Sequence, residues 1–335
     1  MVQRRILVVK LRRIGDLVLA TPTLRILKQL YPHARVTLVT TWPAAQLFQR
    51  SEMVDRVVPF RGRSWSELVG IARGLRSERP DLAVNLHASW KSALLTKLSG
   101  APRRVVHNHS GVDYFGTIPL RAHKVRKSHI ERDLDCVRSL GWNGATPVPY
   151  IDLRPDEVGQ GEEILEGAGV RGDRPRVLVA PGASAPSKRW PGERFLLVAE
   201  RLAERGYEPV ILVDPQDQST PGNGRWPRIE LANLRLLGAA ISRCTLCIGN
   251  DSGVAHIAVA VGTATLTLFG PEHTREWHPY SGRDHVAIMK PVECRGWGCG
   301  KRDCADHRCM ELISVDEVVD KAVKILEAVG SDGII

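Results

Sequence analysis

The chain has 335 residues, 47 Lys+Arg against 37 Asp+Glu, and a formal net charge of +10. At 43% hydrophobic and 25% charged residues it has the composition of a folded globular protein, which excludes collagen-like and disordered chains, and its length suits two domains. The longest mild apolar stretch, 253–269, holds His256 and several Gly and Thr, whereas a membrane span needs about 20 clearly apolar residues. The N-terminal MVQRRILVVKLRRIGD lacks an apolar h-region, so a cytoplasmic location is expected.

The first domain reads as alternating strands and helices. Residues 5–11 (RILVVKL) form a continuous apolar run that predicts a buried parallel strand. Leu24, Ile26, Leu27 and Leu30 give a helical stripe, with Thr21–Pro22 marking either a fresh N-cap or a kink in a helix begun earlier. Strands are expected at 35–41, 54–60 and 81–87, and helices at 44–50 and 64–76. After the Pro-rich stretch 147–155 the pattern restarts, with helices expected at 157–167, 193–205, 252–261 and 315–329. Strands are expected there at 176–180, 209–213, 245–249 and 264–269. The reading is therefore two doubly wound α/β domains, 1–150 and 151–335, facing across a cleft, with ligands beyond the carboxyl ends of the strands.

Charge is unevenly divided. Residues 1–150 hold 25 Lys+Arg and 10 Asp+Glu, a balance of +15; residues 151–335 hold 22 and 27, a balance of −5. A basic half points to a polyanionic partner: nucleic acid, an anionic membrane face or a phosphorylated glycolipid. Basic residues are not interleaved with aromatics as stacking platforms for nucleic acid require, which disfavours that partner.

Three loops follow predicted strands. In Lys10-Leu-Arg-Arg-Ile-Gly-Asp16 the dinucleotide fingerprint G-x-G-x-x-G is absent. Asp16 is either an N-cap or a carboxylate projecting as a general base, with Arg12 and Arg13 beside it to contact an anionic acceptor. In 180–191 (APGASAPSKRWP) Gly182, Ser184 and Ser187 offer donors and Lys188 a compact positive charge, a set that suits a diphosphate. In 249–256 (GNDSGVAH) Ser252 and Gly253 fall at a helix N-terminus, where free N–H groups favour pyrophosphate. Asp251 is suited to sugar hydroxyls, and His256 lies on the same helix face as Ser252. Nucleophile-elbow and Walker A sequences are absent.

At ILVVKLRRIGDLVLATPTLRILKQLYP (6–32), APGASAPSKRWPGERF (180–195) and IGNDSGVAHIAVAVGTATLTLFGP (248–271) the sequence resembles glycosyltransferase family 9, the ADP-heptose:lipopolysaccharide heptosyltransferases. SHIERDLDCVRSLG (128–141) is similar to the family's approach between domains. The resemblance implies the GT-B fold of two Rossmann-like domains, with the last helix packing back across the first. It implies Asp16 as general base, Lys188 on the donor diphosphate, Ser252 and Gly253 on the phosphates, Asp251 on the donor sugar, and His256 completing that motif; from its own loop Ser184 is expected at the donor site as well. Asp217, in VDPQD (213–217), takes the place of an acidic residue on the donor ribose. Arg12, Arg13, Arg61 and Arg63 are expected to hold the anionic acceptor.

The implied activity is inverting, metal-independent transfer of heptose from an ADP-sugar to a lipid-linked acceptor at the inner face of the cytoplasmic membrane, with no cofactor and no nucleic-acid partner. The competing readings are another GT-B sugar-nucleotide enzyme, a UDP-sugar transferase or epimerase, and a nucleic-acid-binding protein. Cys294, Cys299, Cys304 and Cys309, spaced five apart, are either packed thiols or metal ligands; structural zinc usually takes tighter Cys pairs. Some protein-modifying heptosyltransferases hold iron with cysteines. Cys136 is read as a helix residue, and Cys244 and Cys247 as strand residues, all three packed in the core.

Overall fold

The computed structural model describes residues 4–62, 64–107, 111–120, 127–214, 224–280, 282–294, 299–301 and 303–331. Arg63 and Asp217 lie outside the described residues. The chain divides into two compact units, Met1–Asp152 and Leu153–Ile335.

The first unit runs β1 (Arg5–Lys10), α1 (Ile14–Val18), α2 (Thr21–Leu30), β2 (Arg35–Thr41), α3 (Trp42–Ala45), β3 (Arg56–Phe60), α4 (Trp65–Ser77), β4 (Leu82–Asn85), α5 (Trp90–Leu98), β5 (Arg103–Val106) and α6 (His129–Arg138). Its strands are parallel in the order β3-β2-β1-β4-β5. The Ile6–Val9 run of β1 is buried on both faces, as a central parallel strand must be. Leu7, Val9, Val39, Ala83 and Leu95 form one core cluster with the apolar faces of α4 and α5. Serines set the helix starts: Ser64 Oγ accepts from Glu67 N, Ser89 and Ser92 form a capping box, and Ser128 Oγ accepts from Glu131 N.

Several boundaries differ from the sequence reading. Thr21 is not an N-cap; its Oγ1 donates to the Val18 carbonyl at 2.7 Å, and α2 starts after a break in a helix begun at Ile14. The helix expected at 44–50 begins two residues earlier and ends in a 3-10 turn, Gln46–Phe48. The strand expected from residue 54 starts at Arg56, and the one expected at 81–87 is shortened to Leu82–Asn85.

The second unit runs α7 (Pro155–Gly167), β6 (Arg176–Ala180), α8 (Gly192–Ala203), β7 (Glu208–Val213), β8 (Arg228–Glu230), α9 (Leu234–Ser242), β9 (Leu246–Asn250), α10 (Gly253–Ala260), β10 (Ala264–Phe269), α11 (Thr274–Trp277), β11 (His285–Met289), α12 (Arg308–Glu311) and α13 (Val315–Ser331). These strands are also parallel, in the order β11-β10-β9-β6-β7-β8. Its core joins Val177 and Val179 of β6, Phe195 of α8, Leu246 and Ile248 of β9, and Val318, Ala322 and Ile325 of α13. The apolar face of the last helix therefore closes its own unit's core, against α8, β9 and β10. Cys136 and Cys247 are buried in α6 and β9, while Cys244 is buried in the turn before β9 rather than in the strand. Both sheets reverse strand order once, between β1 and β4 and between β6 and β9. At such a reversal adjacent crossovers leave in opposite directions and open a crevice at the carboxyl ends.

Candidate active site

In the first unit the crevice is lined by the loop after β1 and the chain after β4. Arg13, extended, is the N-cap of α1 and makes no side-chain cap bond. Asp16 is the third residue of the helix, not its cap, and is 5% exposed. The basic group facing it is His129 at the start of α6, with Nδ1 3.9 Å from Asp16 Oδ1. Directly before this loop Lys10, the last residue of β1, is buried and donates to Asp133 Oδ2 of α6 at 2.5 Å. Burial pushes the Asp133 carboxyl up to about 6, against the pull of Lys10, and the charge of Asp16 adds to the push.

The end of β4 supplies Asn85, whose Oδ1 accepts from His87 N at 2.8 Å, and the chain just after it supplies His87 itself. Burial, then the charges of Arg12 and Lys10, and His107 last, hold His87 down to about 3; it is a neutral imidazole at pH 7. Asn85 Nδ2 is buried without a hydrogen-bond partner among the described residues. Arg12 and Arg13 are exposed on the same loop. Arg61, after β3, has its guanidinium 4.9 Å over the Trp42 ring and lines a concavity with Leu11, Thr41, Phe60 and Gly62.

In the second unit the crevice lies between the loops after β6 and β9. Lys188 sits in a 3-10 turn, Pro186–Lys188, and is buried rather than solvated. Its Nζ donates to Asp251 Oδ2 at 2.6 Å and lies 3.2 Å from Glu272 Oε1 and 5.8 Å from the Trp277 ring centroid. Asn250 holds the two loops in register: its Nδ2 donates to the Pro181 carbonyl at 2.6 Å and its Oδ1 accepts from Trp190 N at 3.0 Å. Gly249 is needed for this approach, because a Cβ there would lie 2.8 Å from the Ala180 carbonyl oxygen.

Ser252 is the N-cap of α10 yet makes no cap bond, and its Oγ has no partner among the described residues. Gly253 opens the helix. His256 is buried, with Nδ1 2.6 Å from the Tyr280 hydroxyl, and Trp277 packs near its ring. Burial, with the charge of Asp251 adding, pushes the Tyr280 phenol up, and burial holds His278 down to about 4.

Ser184 is exposed on the loop after β6. Ser187, by contrast, is turned inward and donates to the Lys301 carbonyl at 2.9 Å, so its hydroxyl serves the loop's own support. That support is the Cys-rich tail. Trp190 Nε1 donates to the Ile313 carbonyl at 3.0 Å, and Arg194 Nη1 donates to the Glu311 and Ile313 carbonyls. Cys294, Cys299, Cys304 and Cys309 line one small cavity beneath Ser187 and Gly270. Among the described residues no group of three His, Cys, Asp or Glu is arranged to hold a metal ion.

The family model for glycosyltransferase family 9 (heptosyltransferase) matches residues 69–296. The chain belongs to glycosyltransferase family 9. It is 27% identical over 290 residues to lipopolysaccharide heptosyltransferase 3 of Escherichia coli, covering 80% of this chain and 84% of that protein. The solved family 9 glycosyltransferase of Veillonella parvula DSM 2008 is 25% identical, with TM-score 0.85 over 98% of this chain and 99% of that one. The E. coli ADP-heptose LPS heptosyltransferase II shares the fold at 22% identity, with TM-score 0.80 over 97% and 99%. The family match spans Lys188, Asp251, Ser252, Gly253 and His256, whereas Asp16 precedes it.

The sequence reading of this family member did not find Lys10, His87, Asn85, His129, Asp133, Glu272 or Tyr280. One signal was present for some: buried runs ending in polar residues, VVK at β1 and VNLH at β4, mark strand ends that open on a ligand. Nothing local marked Glu272 or His129, whose partners lie 84 and 113 residues away.

Proposed function

We propose that this family 9 glycosyltransferase moves heptose from ADP-heptose to the core of lipopolysaccharide, with inversion at the anomeric carbon and without a metal ion in the chemical step. The names of its relatives support the substrates: one acts on lipopolysaccharide, and another is an ADP-heptose enzyme. The observation that carries the reading is the α10 N-terminus, where the unpartnered Ser252 hydroxyl and free helix N–H groups accompany the charge of Lys188. This set suits a diphosphate.

In the proposed reaction Asp16 takes the proton of the acceptor hydroxyl as that oxygen bonds the anomeric carbon. The bond to the diphosphate oxygen breaks, and ADP leaves with its electron pair. Lys188 and the α10 N-terminus take up the developing charge. Asp251 holds sugar hydroxyls, while Ser184, Asp217 and His256 complete the donor site. Arg12, Arg13, Arg61 and Arg63 meet acceptor phosphates.

A membrane-facing acceptor is supported by the +15 balance of residues 1–150. It is also supported by the exposed Trp42, Trp65, Trp90 and Tyr114, which follow the carboxyl ends of β2, β3, β4 and β5. Exposed aromatic rings beside cations suit a headgroup layer. Among the described residues no helix is long and apolar enough to cross a membrane.

The test is nucleotide release from ADP-heptose, ADP-hexose, UDP-sugars and GDP-sugars, with mass spectrometry of the glycolipid and the same assay in EDTA. Heptose addition from ADP-heptose, undiminished by EDTA, is expected. A preference for UDP- or GDP-sugars refutes the donor assignment, and loss in EDTA refutes metal independence. Asp16→Asn should abolish transfer while leaving ADP binding within a few-fold.

A further inference from the structure

We propose that His129 is a positioning residue that acts through Asp16, orienting its carboxylate and taking over the proton that Asp16 removes from the acceptor. The inference rests on the reading of Asp16 as base. His129 and Asp133 are four residues apart and share one face of α6. Asp133 is tied to Lys10, the last residue of β1, with both side chains almost wholly buried. That strut fixes α6 against the strand end from which the Asp16 loop departs. It leaves His129 Nδ1 3.9 Å from Asp16 Oδ1, just beyond hydrogen-bond reach. Catalytic hydrogen bonds are often this long in the free enzyme and tighten with substrate.

The chemistry needs such a group. A carboxylate ordinarily titrates near about 4 and an imidazole near about 6.5, so a neutral imidazole is the better final holder of the proton. The acceptor O–H bond breaks and its proton passes to Asp16. The O–H electron pair forms the new bond to the anomeric carbon, and ADP departs with the pair of the old one. The proton then moves from Asp16 to His129 Nδ1, leaving a carboxylate beside an imidazolium.

Asp133, on the same helix face, has a carboxyl raised by burial to about 6 and so takes up protons close to the imidazole range. Lys10 is committed to Asp133, on which Arg132 also acts. Arg12 is a fixed cation facing His87, and His87 stays neutral through burial.

The experiment measures kcat and kcat/KM against pH for the wild type, His129→Gln and Asp16→Asn, with ADP affinity and thermal melts alongside. In the wild type the acid limb should lie in the imidazole range. In His129→Gln it should fall by about two pH units, toward the carboxylate range, and kcat should drop about 10²-fold. ADP affinity should stay within twofold. His129→Asn gives the same readout with a shorter amide should the Gln variant melt early. An unmoved limb in the folded variant overturns the inference, even if kcat falls. Asp16→Asn inactive with His129→Gln unchanged overturns the inference alone, whereas transfer by Asp16→Asn overturns the base assignment beneath it.

Discussion

Removing Lys188 is the most informative perturbation, and the structure changes what the result means. Lys188 is 6% exposed and touches two carboxylates, Asp251 and Glu272, so a donor diphosphate competes with both for it. Lys188→Met alone strands Asp251 and Glu272 together, and an uncompensated buried charge costs about 3–5 kcal/mol of stability. Lost ADP binding in that variant would be confounded with a damaged fold. The pair Lys188→Met/Glu272→Gln removes the cation together with one of its two carboxylates, so that Asp251 alone loses its partner.

A charge-assisted hydrogen bond to a ligand contributes about 1.5–3 kcal/mol, so ADP should bind about 10- to 150-fold more weakly to this double variant. Glu272→Gln alone removes a carboxylate that holds Lys188 away from the diphosphate. A gain of about 1 kcal/mol, near fivefold tighter ADP binding, should follow. Calorimetric titration of ADP at fixed ionic strength measures both, with melts run in parallel. An ADP affinity within twofold of wild type in the double variant would refute Lys188 as a diphosphate ligand.

Asp133→Leu should destabilise the first unit by about 3–5 kcal/mol by leaving Lys10 buried and unpaired, while Lys10→Met/Asp133→Leu should restore most of it; equal losses in denaturant melts of single and double variants would contradict this. Because burial holds His87 near about 3 and His278 near about 4, both stay neutral in the fold. Below about 6.5 the unfolded chain protonates these two imidazoles while the folded one refuses, so their contribution to stability falls as pH drops from about 6.5 toward 4, against an opposite contribution from the raised Asp133 carboxyl. His278→Gln should flatten that slope in melts across this range, and an unchanged slope would exclude it as a contributor. Gly161→Ala should cost about 1–3 kcal/mol, since its Cβ would lie 2.4 Å from the Ala239 carbonyl carbon where α7 crosses α9. A melting temperature within a degree of wild type would show that the helices part freely.

What was legible in the sequence was what local pattern controls. Continuous apolar runs such as ILVV in β1 and LCIG in β9 can only be strands buried on both faces, and their alternation with helical stripes requires parallel sheets. The loops after those strands carried Asp16, Lys188, Asp251 and Ser252, because parallel topology always places ligands at carboxyl ends. Elements with weak local signals were missed. α5 (WKSALLTKL) has no clear polar face, β5 begins with two arginines, and β8 is three residues long.

Tertiary structure alone decided how these groups are charged and held. Lys188 reads in sequence as a loop cation suited to a diphosphate, yet folding buries it between carboxylates 63 and 84 residues away. Asp16 reads equally as a helix cap or a base, and the structure shows that it caps nothing and faces His129. Ion pairing, burial and proton affinity depend on distance and dielectric rather than on chain order, so sequence can nominate a charged side chain but cannot give it a partner. The +10 that the composition records is likewise a sum, and its division into +15 and −5 was readable at once. Where the exposed aromatics lie among those cations, at the carboxyl ends of β2 to β5, was decided only by the fold.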